Sequence, residues 1–273
     1  MTATVRRVGT LAALLACAAA VLLPLIWILT TSFKTVADIN AYPPSLLPRA
    51  FTTANYTGIT DQLAFGRLLA NTVIFAGGVT ALALVFDSMA AYALARLDFR
   101  GRGLVLMAIL ATLMVPFQAT LVPVYRLINE LGLVNTYPGM ILPRAADAFG
   151  IFLLRQFFLS IPRDLDSAAR IDGAGEFRIF RSVVLPNAKP ALLTLALFVF
   201  MNNWNDLLWP LVFTTDQDMR TLTAGLALLT GKFGVVDHGL VMAGSVISMA
   251  PLIVLFLLVQ RRFIEGIATT GLK

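Results

Sequence analysis

Six long apolar runs leave this chain with one suitable solvent. They cover residues 11–33, 68–94, 104–127, 138–159, 191–213 and 241–259. Each is close to or beyond the ~20 residues an α-helix needs to cross a ~30 Å hydrocarbon layer. The runs are continuously apolar rather than alternating, which predicts helices and not a barrel. Only 13% of the 273 residues are charged, about half the share of an ordinary soluble domain. There is too little polar surface to wrap a core in water. The expected fold is therefore an all-α integral membrane protein: one transmembrane domain over residues 1–273 with six spanning helices.

The net charge of +6 suggests nucleic acid until the basic residues are placed. With both termini in the cytoplasm, fourteen of the 21 lysines and arginines lie inside, and seven (Lys34, Arg49, Arg67, Arg126, Arg144, Arg220 and Lys232) lie outside or within the membrane. That bias is the positive-inside rule. No basic stripe is interleaved with stacking aromatics, which argues against nucleic acid. The N-terminal run resembles a signal peptide with a lipoprotein box ending at Cys17, but its apolar stretch continues past that residue to Leu29, beyond the ~7–15 residues of such a region. A retained first helix is expected. Cys17 is the only cysteine, so no internal disulfide is inferred.

Several polar groups interrupt the spans. Pro116 and Pro123 break the third run with Gln118 and Thr120 between them, which reads as a packing kink or a lining segment. Arg144 and Asp147 are three apart in the fourth run and would share one face of a helix. Each costs ~2.5–3.5 kcal/mol at the centre of a span on insertion scales, so they face the bundle or a wet cavity. They are either a self-cancelling pair or a lining of the route. Asn202, Asn203, Asn205 and Asp206 place a second polar cluster in the fifth run, beside Trp204 and Trp209. Asp87 is the one acid deep in the second run. It would pair with a basic residue, reach a wet vestibule, or serve as the ion site of a self-sufficient secondary transporter.

One stretch behaves differently. "LDSAARIDGAGEFRIFRSVVLP", within residues 162–187, is charged and rich in small residues. Pro162 and the acids Asp164 and Asp166 suit a helix start, and Gly173 suits its stop. A second short helix would run from Glu176 to Val184, with Phe177, Phe180 and Val184 on one apolar face. The first helix would then present Asp166, Ser167, Ala168 and Ala169 outward. This reads either as a helix that docks in a groove of another protein or as an interfacial hairpin.

The same residues carry a family resemblance. The stretch is similar to the EAA loop of ABC-importer permeases, a pattern of EAA, three residues, Gly, nine residues and Ile-x-Leu-Pro. Here it reads Ser167-Ala168-Ala169, Gly173, Val183 and Leu185-Pro186, with Asp172 and Ala174 flanking the glycine. Ser167 stands where the family has glutamate, and Val183 where it has isoleucine. "MVPFQATLVPVYRLINELGLVNTY", "GIFLLRQFFLSIP" and "NNWNDLLWPLVFTTDQDMRTLTAGL" extend the likeness to the maltose-type, carbohydrate branch of those permeases. The resemblance implies half of a translocation pore for a sugar or related polyol. It also implies partners: a second permease, two cytoplasmic ATPases holding ATP and magnesium, and an extracytoplasmic binding protein. A loop tip of Gly231, Lys232, Phe233 and Gly234 would reach that binding protein. The alternative is a secondary transporter or channel that works without an ATPase. The chain itself has no ATPase site: between Gly225 and Gly231-Lys232 lie five residues where a phosphate loop has four, and Phe233 follows in place of Ser or Thr. No cofactor or metal site is expected in the chain.

Overall fold

The computed structural model describes residues 2–229 and 237–270, and these are mostly helical. An isolated bridge between Lys34 and Phe51 is the extended pairing among them. The helices used below are α1 (Thr2–Thr31), α2 (Ala54–Gln62), α3 (Phe65–Arg96), α4 (Arg102–Thr112) and α5 (Phe117–Glu130). They continue with α6 (Tyr137–Ile141), α7 (Ala148–Ser160), α8 (Asp164–Ile171), α9 (Glu176–Ile179), α10 (Lys189–Trp204), α11 (Leu208–Phe213), α12 (Leu222–Leu229) and α13 (His238–Thr270).

Among the described residues, three stretches are long and apolar enough to cross a bilayer as single helices: Arg7–Thr31, Phe65–Arg96 and His238–Leu257. The other expected spans are broken. Residues 104–127 are not one helix, because α4 and α5 meet at 96°. Pro116 is the reason: it stands in extended backbone just before α5, where its ring and missing N–H cannot continue a helix. Residues 138–159 are likewise split. After α6 a 3-10 turn, Leu142–Arg144, ends the first piece, and Asp147 is extended at the start of α7. The 191–213 run divides between α10 and α11 around Asn205.

The chain forms two compact units, Met1–Phe65 with Gly225–Ile253 and Gly66–Ala224 with Val254–Lys273. In the first, Ile59 of α2 packs with Leu240 and Ala243 of α13. Asn55 donates from Nδ2 to the carbonyls of Ser32 and Lys34, 2.9 Å each, which closes the turn that follows α1. Asp38 accepts from the Arg49 backbone at 2.7 Å and from Ser45 Oγ at 3.2 Å. The segment after the first span is thus ordered by its own polar side chains.

The second unit holds the larger core. Along α3, Phe75, Val79, Ala83, Ala91 and Ala95 are buried at four-residue spacing, which keeps them on one stripe. They pack in one cluster with Leu154 and Phe158 of α7 and Leu195 and Val199 of α10. Helices in lipid gain little from burying apolar surface against each other, so close approach over small residues supplies the attraction. The three alanines give α3 that approach. Asp87 occupies the one remaining position of the stripe and is fully buried.

Candidate functional site

The break between α6 and α7 opens into a cavity of about 350 Å³. Its wall includes Arg144, Asp147, Asn202, Asn203, Thr120 and Trp209, with apolar Val79, Phe117 and Val199. The Arg144 guanidinium forms an ion pair with Asp206 and lies 5.3 Å from the Trp209 ring centroid. Trp209 is held in turn. Its indole N–H donates to Met140 O at 3.0 Å, its backbone N–H to Asp206 Oδ1 at 3.1 Å, and its ring stacks on Phe213 at 4.1 Å. The Trp209 ring is thus sandwiched between Arg144 and Phe213 and buried, and it serves to fix the guanidinium, while Arg144, Asn202 and Asn203 bring polar groups to the wall. A wall of this kind offers hydrogen-bonding groups to a polar solute.

The shared helical face expected for Arg144 and Asp147 is corrected, and of the two alternatives the self-cancelling pair is not formed. The helix is interrupted at residues 145–147 and Arg144 turns to Asp206, while Arg144 and Asp147 both stand in the cavity wall. Of the polar cluster, Asn202 and Asn203 line the cavity and Asp206 sits behind Arg144, whereas Asn205 returns its side chain to Met201 O at 2.9 Å and is not in the wall. Asn203 is buried and donates to Val199 O at 2.7 Å. Trp204 is buried with its ring against Phe200, so of the two tryptophans only Trp209 faces the cavity. Thr120 came from the proline-flanked segment of the third run, and its place in the wall follows from the bend there.

Asp87 meets neither a basic residue nor the cavity. Its Oδ1 accepts the backbone N–H of Asp147 at 2.9 Å.

The loop over residues 162–187 is a helix pair. Gly173 has φ +80°, a conformation that costs other residues ~1–2 kcal/mol. Ala174 N–H returns to Ala169 O at 2.9 Å and Gly173 N–H to Arg170 O at 3.0 Å, so the stop of α8 is a Schellman turn. Across it Arg170 binds Glu176, Nε to Oε1 at 2.9 Å and Nη2 to Oε2 at 3.2 Å, and Tyr92 donates to Glu176 Oε2 at 2.7 Å. Those two donors, Arg170 foremost, hold the Glu176 carboxyl below its ordinary range, and the bond to Glu176 raises Arg170 in return.

The outward face of α8 differs from the expected one. Asp166 points inward: its Oδ2 lies 3.3 Å from Arg96 Nε, with both side chains almost wholly buried. The contact is an ion pair without hydrogen-bond alignment at Nε, while Arg96 Nη2 donates to Ile161 O at 2.8 Å. Ala169 is half-buried against the core. Ser167 and Ala168 are exposed as expected, with Asp164, Asp172 and Gly173, while Ala174 and Leu185 are half-buried and Pro186 exposed. Two residues had not been singled out: Leu165, and Ile171 at 88% exposure. With Ala168 they repeat every three residues, a signal present in the sequence and hidden by the surrounding charges. In the second helix the expected apolar face is met by Phe180 and Val184, which are buried, while Phe177 stays exposed. Gly231, Lys232, Phe233 and Gly234 lie outside the described residues.

Broken apolar helices around a polar cavity, with a helix pair carried between two spans, define a membrane transport subunit. Residues 87–268 match the family described as binding-protein-dependent transport system inner membrane component, and the chain belongs to that family. It is 36% identical over 253 residues to the arabinooligosaccharides transport system permease protein AraQ of Halalkalibacterium halodurans, covering 92% of this chain and 90% of the relative. The trehalose/maltose transport system permease protein MalG of Thermococcus litoralis is 36% identical over 256 residues, covering 92% and 91%. A chain from the crystal structure of a bacterial ABC transporter that imports the acidic polysaccharide alginate superposes with a TM-score of 0.85 at 28% identity, covering 94% of this chain and 97% of that one. The protein is a multi-pass permease of the cell membrane.

Proposed function

We propose that this chain is one of two permease subunits of an ATP-driven importer for a carbohydrate or related polyol. Six passes, with both termini cytoplasmic, satisfy the positive-inside bias once each broken run is counted as a pass. Relatives named for arabinooligosaccharides and for trehalose and maltose support the solute class, as do the hydrogen-bonding side chains of the cavity wall. A binding protein outside delivers the solute, and two ATPases inside, which hold ATP and magnesium, supply the energy.

The loop helix α8 carries this reading. Leu165, Ala168 and Ile171 leave an apolar stripe exposed on it, while Asp166 pins its opposite side to Arg96 at the end of α3. A helix greasy outside and clamped inside is built to transmit force from a protein seated on that stripe. ATP binding in the ATPases and solute binding in the cavity then bias the same two-state bundle. Ala168→Arg tests the assignment. The subunit should insert and assemble with its partner permease, while uptake and solute-stimulated ATP hydrolysis both fall to background. Uptake at the parent rate would refute the docking role. Ala169→Arg is the wrong probe, since Ala169 packs inward and arginine there would disturb the fold itself.

A further inference from the structure

We propose that Asp87 is a positioning residue: its carboxylate fixes the start of α7, and thereby the chain break that sets Asp147 in the cavity wall. An aspartate at the start of a helix ordinarily accepts a hydrogen bond from its own first turn. Asp147 stands at that position and makes no such bond. Asp147 lines the cavity instead. Asp87 secures a different donor of the same helix start, the backbone N–H of Asp147 itself, at 2.9 Å.

Three further observations make this a built arrangement. The first intrahelical bond of α7 runs from Ile151 N–H to Asp147 O at 3.0 Å, so the preceding N–H groups form an open positive end. In broken transporter helices such ends face the polar groups they bind; here the acceptor comes from the neighbouring span of the same chain. Gly150, one turn into α7, leaves the room: a Cβ there would overlap Asp87 Oδ2 and come within 3.1 Å of Leu195 Cδ1. Finally, Oδ2 is buried without a hydrogen-bond partner. A group so placed is costly to keep, and the end of α7 is the feature that offsets it.

The functional consequence rests on the reading of the cavity as part of the transport path, so the test separates the two. The complete complex is prepared with Cys17→Ala and Ala146→Cys, which puts a thiol in the cavity wall at the break. Its labelling by a water-soluble maleimide is timed with Asp87 intact, with Asp87→Asn and with Asp87→Ala. Asparagine keeps the acceptor, so its rate should stay within about twofold of the parent, while alanine should shift it by fivefold or more. An unchanged rate in Asp87→Ala overturns the proposal. Gly150→Ala should reproduce the shift from the opposite side, and adding Asp87→Ser to it should restore the parent rate. Simple additivity of those two changes also overturns it, and this arm stands if Asp87→Ala fails to assemble. Uptake is then measured in the same variants. A raised KM with Asp87→Ala and a parental KM with Asp87→Asn support both readings. A labelling shift with unchanged uptake upholds the positioning role and removes the cavity from the path.

Discussion

Removing one partner of the Arg96–Asp166 pair gives the most direct test of how α8 is held. The two side chains are 1% and 3% exposed, so Asp166→Ala leaves a guanidinium buried opposite a methyl group. Breaking a buried pair this way costs about 3–5 kcal/mol. Arg96 keeps its bond to Ile161 O at 2.8 Å, which places the loss near 3 kcal/mol, or about a hundredfold in the folding equilibrium. Replacing both charges, with Arg96→Met and Asp166→Leu, should return stability to within about 1 kcal/mol, because desolvation and attraction are removed together. The two variants differ in coupling as well. The single change frees α8 from its clamp, so ATP hydrolysis should lose its dependence on solute; the double change keeps a packed joint and should retain part of it. Denaturant unfolding of the purified complex, followed by tryptophan fluorescence, reads the first quantity, and ATPase assays with and without solute read the second. A loss below 1 kcal/mol in Asp166→Ala, or a double variant no better than the single, would refute the clamp.

The cavity and the loop each give one more expectation. Arg144→Leu with Asp147→Leu strands Asp206, whereas Arg144→Leu with Asp206→Leu removes the true pair; the first should raise the uptake KM about tenfold above the second, and equal values would show that Arg144 does not depend on Asp206. Glu176 is held below its ordinary value of 4.5 by Arg170 and Tyr92. Its contribution is therefore complete above that pH and lost as pH falls through the lowered folded value. Hydrogen exchange across residues 170–178 should accelerate only below about pH 4.5, and Glu176→Gln should abolish that dependence.

The class of fold was legible because solvent leaves no choice: long uncharged runs can only be helices in lipid. Pro116 announced the break in the third run, although no local rule supplies a bend of 96°. The break at residues 145–147 was harder to read. Between Pro143 and Gly150 the local pattern suits a continuous helix, and the acceptor that stabilises the interruption is Asp87, sixty positions away. Inward Asp166 was missed for a similar reason. Beside Asp164 it looks like a solvated helix start, and its partner Arg96 looks like an ordinary cytoplasmic-end charge. Periodicity reports which face is apolar, but a charge turned inward on a long-range partner leaves no periodic trace.

The first span has a consequence of its own. Within its most apolar window, Arg7–Thr31 buries none of its residues against the rest of the chain. A continuous apolar helix satisfies its own backbone bonds in lipid, so α1 can form before any neighbour arrives. Insertion and packing are then separate events for this protein. The packed cores around Phe75 and Ile59 can loosen while α1 remains threaded through the bilayer, so denaturant unfolding reports on those cores and not on α1. Within its own compact unit, α1 is joined to α2 at the turn that follows it, where Asn55 gathers the carbonyls of Ser32 and Lys34. A subunit assembled this way stays tethered in the membrane through repeated attempts at packing, and a failed attempt need not release it.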